Sequence, residues 1–187
     1  MNTRAETARE TRERILAATI ELHARHGVIS VSHKDIAAEA DVSVGTVYHH
    51  FPTRTELVRA CGARSAEQMA PPASAIDPDA PLGQRIAALA TALVGLYVQA
   101  PWIEKIRAER DQEPAIAEGL AAWQEPLDAL IGHALGPHAA RPHAVAAVAA
   151  ILDVSVINRL SERGLSQGEI AATLGAIIQS WLEGGDS

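Results

Sequence analysis

The stretch SHKDIAAEADVSVGTVYHHFPTRTEL, Ser32–Leu57, decides how the chain folds. Ser32-His33-Lys34-Asp35 has the form of a capping box, with aspartate in place of the usual glutamate at the third helical position. The helix it opens runs through Ile36, Ala37 and Ala40. Asp41-Val42-Ser43 then breaks it, and the Ser43 hydroxyl is placed to cap a third, short helix from Val44 to about His50. Phe51-Pro52 stops that helix, because the residue before a proline is pushed out of the α region. Thr53-Arg54-Thr55-Glu56 is a further capping box and opens a fourth helix, to about Met69. Ala37 is small where the two short helices cross, and Ile36, Ala40, Val42 and Val47 supply a small core between them. Ser43, Val44, Gly45, Thr46, Tyr48 and His49 are left facing outward.

Two short helices joined by a three- or four-residue turn, the second polar on one face, are the outline of a helix-turn-helix. Such a second helix can enter a DNA major groove. Gly45 lets backbone approach closely, Ser43 and Thr46 can donate to phosphate or base edges, and Tyr48 and His49 are polar-tipped arms for the DNA backbone. Arg54 stands in the first turn of the next helix, where it can meet a phosphate. Lys34 is a phosphate candidate too, although a solvated helix face explains it equally well. Tyr48-His49-His50-Phe51 could in principle be a plain helix end, and Phe51 reads as core. The capping and turn signals on both sides favour contact with DNA for Tyr48 and His49.

With RILAATIELHARHG (Arg14–Gly27) before it, the stretch VSHKDIAAEADVSVGTVYHHFPTRTELVRA resembles the N-terminal DNA-binding domain of TetR-family transcriptional regulators, over about residues 10–60. The resemblance rests on Ile-Ala, then Val-Ser-x-Gly-Thr-x-Tyr-x-x-Phe, then a basic residue and Glu-Leu. Two positions depart from the usual pattern. The turn carries Asp41 where glycine is usual, a substitution that a left-handed aspartate tolerates. His49 and His50 replace permanently charged arginine or lysine, which makes phosphate affinity lower and pH-sensitive. The resemblance implies a homodimeric repressor that binds double-stranded operator DNA. It also implies dimerisation through the last two long helices, and a small effector bound inside the larger domain that resets the spacing of the recognition helices.

Outward from this stretch, helical periodicity continues. Residues 8–26 form a first helix with Ile15, Leu16, Thr19, Leu22 and His26 on one face, stopped at Gly27. Ala70–Pro81, with four prolines and two aspartates, is linker-like. Helices then follow over 82–100, 101–110, from Pro114 to Gly136-Pro137 with a kink expected at Pro126, and from Pro142 to about Arg163. A last helix opens at the capping box Ser166-Gln167-Gly168-Glu169. The expectation is an all-α protein in two domains: a helix-turn-helix head over 1–60, and a helical ligand-binding and dimerisation domain over 61–187. The apolar stripes of 142–163 and 166–182 suit a dimeric four-helix bundle, with an intramolecular core as the alternative. The family's cavity would fall at about residues 82–160. There Tyr97, Trp102, Trp123, Arg107, Asp153 and Asn158 could both line and orient a ligand, with Leu93, Ile106 and Leu127 as apolar walls. A largely apolar effector follows. Each tryptophan could equally be core, and Arg107 could instead pair with Glu104 or Asp111.

Composition sets bounds on function. The net charge is −7, yet residues 1–60 hold 8 basic and 8 acidic side chains while 61–187 hold 8 and 15. The head is neutral and can carry a basic surface; the acidic body would repel phosphate. One cysteine, Cys61, excludes an internal disulfide. No charged leader precedes an apolar segment, and no apolar run of about 18 uncharged residues suggests a membrane span, so a cytoplasmic setting is expected. His133, His138 and His143 are spaced for different helix faces and are interrupted by prolines, so no metal is expected, and no cofactor. No nucleophile elbow, P-loop, GxGxxG or HExxH motif occurs, and no enzyme is expected. The rivals are a helical enzyme or ligand carrier that uses the C-terminal cavity, and a co-regulator of the same fold without ligand response.

Overall fold

The computed structural model describes residues 4–69 and 75–184. All regular structure among the described residues is helical: α1 (Arg4–His26), α2 (His33–Glu39), α3 (Val44–His50), α4 (Arg54–Met69), α5 (Leu82–Gln99), α6 (Trp102–Ala108), α7 (Pro114–Leu135), a 3₁₀ turn (Gly136–Ala140), α8 (Ala144–Ile151), α9 (Val154–Glu162) and α10 (Gln167–Gly184). Chain contacts divide these into two compact units, one formed by residues up to 68 together with 102–121, the other by 69–101 with 122 onward. The division differs from a cut at residue 60, because α6 and the first turns of α7 pack with the N-terminal helices. Of the linker-like stretch 70–81, residues 70–74 lie outside the described residues; Ile76, just after them, is buried.

In the first unit α1, α2, α3 and α4 enclose one apolar core. Ile15, Leu16 and Leu22 of α1 meet Ile36 and Ala37 of α2, Val47 of α3, Phe51, and Leu57 and Cys61 of α4. The Arg12 guanidinium lies over the Phe51 ring, 4.8 Å from its centre. Burial pushes the Cys61 thiol up to about 12, against a small opposing pull from Arg12. A second, smaller cluster joins Val28 and Val58 to Ala115 and Ile116, with Ile106 and Leu120 packed on it. α1 includes residues before its apolar stripe, because alanine, arginine and glutamate over 4–14 are good helix formers that need no buried face.

In the second unit α5 lies along α10, its most extensive helix pairing. Ile86, Leu89, Leu93 and Val94 are buried on α5, and Ile170, Leu174, Ile178 and Leu182 on α10. A methyl added at Gly175 would stand 3.7 Å from the Ala90 methyl, an ordinary van der Waals contact. The Arg141 guanidinium donates to the Leu182 carbonyl at 2.6 Å and ties the segment before α8 to the end of α10. α7 stays helical through Pro126.

The single helix expected over 142–163 is two. The Asp153 carboxylate accepts from the Ser155 backbone N–H at 2.9 Å and from the Ser155 hydroxyl at 2.6 Å, so it caps a new helix, α9. Leu152 closes α8 just before it. Taken end to end, 144–162 is long and apolar enough by length and composition to cross a membrane, although Asp153, Arg159 and Glu162 leave it short of an uncharged run of about 18 residues. Asp153 divides that stretch.

Candidate nucleic-acid interface

Local chemistry fixes the helix-turn-helix closely. Ser32 and Asp35 cap α2 reciprocally: the Ser32 N–H donates to Asp35 at 2.9 Å, and the Asp35 N–H donates to the Ser32 hydroxyl at 3.3 Å. The Ser32 hydroxyl, 2.6 Å from the Asp35 carboxylate, and then the Ser32 N–H hold that carboxyl below its usual pKa. At the other end of α2, Asp41 adopts φ 51°, the left-handed turn expected of it. The Asp41 N–H reaches the Ala38 carbonyl at 3.4 Å and the Val42 N–H reaches that of Ala37 at 3.0 Å, the pairing that closes a helix through a left-handed residue. Ser43 then caps α3 by accepting from the Thr46 N–H at 3.0 Å.

α3 buries only Val47. Val44 and Tyr48 keep 38% and 51% of their surface exposed. Ser43, Gly45 and His49 are exposed as well, Thr46 is half-buried, and Lys34 on α2 is exposed. The Ser43 and Thr46 hydroxyls lie 2.8 Å apart. A methyl added at Gly45 would meet only the Ser43 hydroxyl, at 3.7 Å, and the Gly45 φ is not positive. Nothing inside the fold requires glycine there. His50 is half-buried and packs edge-to-face with His49. Burial, then the neighbouring His49 and Arg12, hold the His50 pKa below its ordinary value.

Arg54 is placed otherwise than expected. Its guanidinium turns inward and donates to the Ile29 carbonyl at 3.2 Å and the Val31 carbonyl at 3.4 Å. The same loop, between α1 and α2, is held from the other side by Glu109, whose carboxylate accepts from the Val28 N–H at 2.6 Å and the Ile29 N–H at 3.2 Å. Gly27, with φ 88°, makes room for this brace: a methyl there would collide with the Glu109 carboxylate. Lys105 donates to the Arg25 carbonyl at 3.2 Å, and the Thr55 hydroxyl to Glu113 at 3.0 Å. His23 is buried close by, and burial pulls its pKa down to about 4, with Arg54 adding to the shift and Glu109 opposing it. The sequence pattern shows Gly27 only as a helix stop; the Glu109 brace comes from about 80 residues away, and no local spacing announces it.

The residues nominated for an effector fall in both units. Trp102, Ile106 and Arg107 lie on α6 in the first, where Ile106 packs on the Val28–Val58 cluster. Leu93, Tyr97, Trp123, Leu127, Asp153 and Asn158 lie in the second. Leu93 and Tyr97 are buried, while Trp123 and Leu127 are half-buried. Asp153 is occupied as a helix cap, and the Asn158 amide donates to the Pro101 carbonyl at 3.4 Å. A groove of about 600 Å³ runs between α5 and α10, floored by Gly83, Ala87, Thr91, Ala171, Gly175 and Ala176; none of the nominated residues lines it. Among the described residues no three histidine, cysteine or carboxylate side chains converge as a metal site.

The family model for "Bacterial regulatory proteins, tetR family" matches residues 15–61, the span from α1 into α4 that carries this surface. Residues 15–61 thus place the head of the chain in the TetR family. The HTH-type transcriptional repressor KstR of Mycolicibacterium smegmatis is 37% identical over 65 residues, which cover 35% of this chain and 32% of KstR. The chain thus matches only about a quarter to a third of the length of such curated relatives. Solved TetR-like folds extend over nearly all of the chain. A transcriptional regulator from Rhodococcus sp. Rha1 aligns with TM-score 0.75 at 21% identity, covering 92% of this chain and 96% of that one. The multidrug binding protein EbrR, solved with ethidium, aligns with TM-score 0.65 at 27% identity over 90% of this chain and 98% of its own. Helical head and helical body are therefore the TetR arrangement, and the family is one of DNA-binding regulators rather than enzymes.

Proposed function

We propose that the chain is a cytoplasmic, homodimeric transcriptional repressor that reads a palindromic operator with α3 and leaves it when a small molecule binds the body. The observation that carries the DNA reading is the outer face of α3, where Ser43, Val44, Gly45, Tyr48 and His49 stand exposed beside a half-buried Thr46. Lys34 adds a positive charge on the exposed side of α2. With Arg54 engaged on the α1–α2 loop, its part is to hold the reading head rather than to supply a phosphate contact.

Gly45→Ala separates a fold role from a DNA role. A methyl at Gly45 has space and improves helix propensity by about 0.5–1 kcal/mol, so the variant should melt at or above the wild-type temperature. If backbone approaches DNA there, the same methyl should weaken binding to a site selected from random duplexes. Thr46→Ala and Tyr48→Ala should weaken it too, at constant helical content. Unchanged affinity in all three would remove α3 as the reader. The selected site should be an inverted repeat, since a homodimer presents two identical readers.

Ile177 and Trp181, one turn apart on α10, keep 49% and 41% of their surface exposed. They support a second copy of the chain as the partner of this helix, and Trp181→Glu should shift the protein to monomer in sedimentation. The effector is proposed to be largely apolar. EbrR, of the same fold, was solved with ethidium, and Trp123 and Leu127 are partly open apolar side chains in the body. Trp123→Ala should keep operator binding and lose release by ligand; full inducibility in that variant would place Trp123 in the core alone.

A further inference from the structure

His33 opens α2, at a position fixed by the Ser32–Asp35 caps, and its ring lies flat on that of Tyr48 in α3. The ring centres are 4.4 Å apart and the planes differ by 3°. The His33 Nε2 atom is buried and has no hydrogen-bond partner among the described residues. A buried polar atom left unbonded usually answers to some other requirement. Here the imidazole is used for its face, not for its nitrogen. Tyr48 is half exposed and bears one of the few aromatic rings in the chain, so the stack from His33 limits the sweep of a side chain that would otherwise turn freely in solvent.

We propose that His33 is a positioning residue for DNA reading: it holds the Tyr48 ring in the orientation in which the hydroxyl meets the operator, without touching DNA itself. The inference rests on the DNA-reading role of α3. A side chain ordered before binding loses less freedom on binding, an advantage of about three- to tenfold in affinity. The stack also bridges the two helices of the motif outside the apolar cluster that holds Ile36 and Val47, so it orders the reader with no change to the core.

The experiment is a binding cycle on a duplex selected by the wild-type protein, at one fixed salt concentration. His33→Ala should bind about three- to tenfold more weakly. His33→Phe keeps a flat ring and removes the unbonded buried nitrogen, so it should bind like wild type and melt no lower. In a Tyr48→Ala background, His33→Ala should cost nothing further. Wild-type affinity in His33→Ala overturns the inference. So does a His33→Phe variant that folds but binds as weakly as His33→Ala, or an undiminished His33→Ala loss in the Tyr48→Ala background. Enrichment of no sequence by the wild-type protein would overturn the DNA reading itself, and this inference with it; the other outcomes leave that reading intact.

Discussion

In the first unit, charged side chains from distant parts of the chain grip backbone. Glu109 takes two N–H groups of the α1–α2 loop, Arg54 takes two of its carbonyls, and His23 is buried beside them. In the second unit, α5 and α10 meet through small residues, and the polar contacts are mostly helix caps and near neighbours in sequence. One unit is shaped by directed hydrogen bonds that must be in place together. The other is shaped by how closely two alanine- and glycine-rich surfaces approach. The first should respond to pH and to loss of a single carboxylate; the second should respond to added volume.

The largest expected effect is that of pH on the first unit. His23 falls from its ordinary 6.5 to about 4 in the folded chain, so between those values the unfolded chain holds a proton that the folded chain does not. Stability is full above about 6.5 and is lost as pH drops towards 4, by about 3 kcal/mol in total. Urea unfolding at pH 7 and at pH 4.5 measures it, and His23→Leu should flatten that part of the profile. Because Glu109 opposes the shift, Glu109→Gln should steepen it. Next comes the brace itself. Glu109→Ala leaves the Val28 and Ile29 N–H groups without their acceptor and should cost about 2–3 kcal/mol, read as a fall in melting temperature. If that variant melts like wild type, the contrast between the units is lost.

For the second unit the test is size. Gly175→Ala should be neutral or slightly stabilising, as the new methyl finds ordinary contact with Ala90 and the helix gains propensity. Ala90 is fully buried on α5 and faces Gly175, so Ala90→Leu should cost about 1–3 kcal/mol through forced separation of α5 and α10. Equal stability of both variants would show that this crossing is not close-packed. Smaller still, Asp41→Gly should add about 0.5 kcal/mol, because glycine removes the left-handed strain but is freer when unfolded. Last, Arg59→Ala should not shift the melting curve measurably: the Arg59–Glu118 pair, with nitrogen and oxygen 2.8 Å apart, is open to solvent.

The same contrast explains what is legible in the sequence. The head is written in local signals: Ser32 with Asp35, Asp41 at the turn, Ser43 before Thr46. Each acts within a few residues, and each sits where the pattern puts it. Non-local partners leave no such mark. Nothing in the spacing of Arg54 shows that its guanidinium points inward to Ile29 and Val31, and nothing near Glu109 marks it as the brace of a loop some 80 positions earlier. His33 is visible as a capping-box member, but its stack on Tyr48 depends on the angle between two helices. In the body, periodicity locates the helices but not their ends. Asp153 reads as a polar interruption in an apolar helix, and only its hydrogen bonds to Ser155 reveal that it starts a new one. The residues nominated for an effector are the least legible, because alanine-rich helices give the same stripe whether they face a ligand or one another.

Cys61, the chain's one sulfhydryl, is sealed in the head core with its ionisation pushed up to about 12. At neutral pH almost none of it is thiolate, the form that reacts. A maleimide dye or nitroxide spin label offered to the native protein should therefore pass it by. A cysteine introduced on the outer face of α3 or α10 would be the only reactive handle, with no background substitution to design around. Distances between two copies in the proposed dimer could then be measured directly, with and without DNA, on a protein whose head core is untouched.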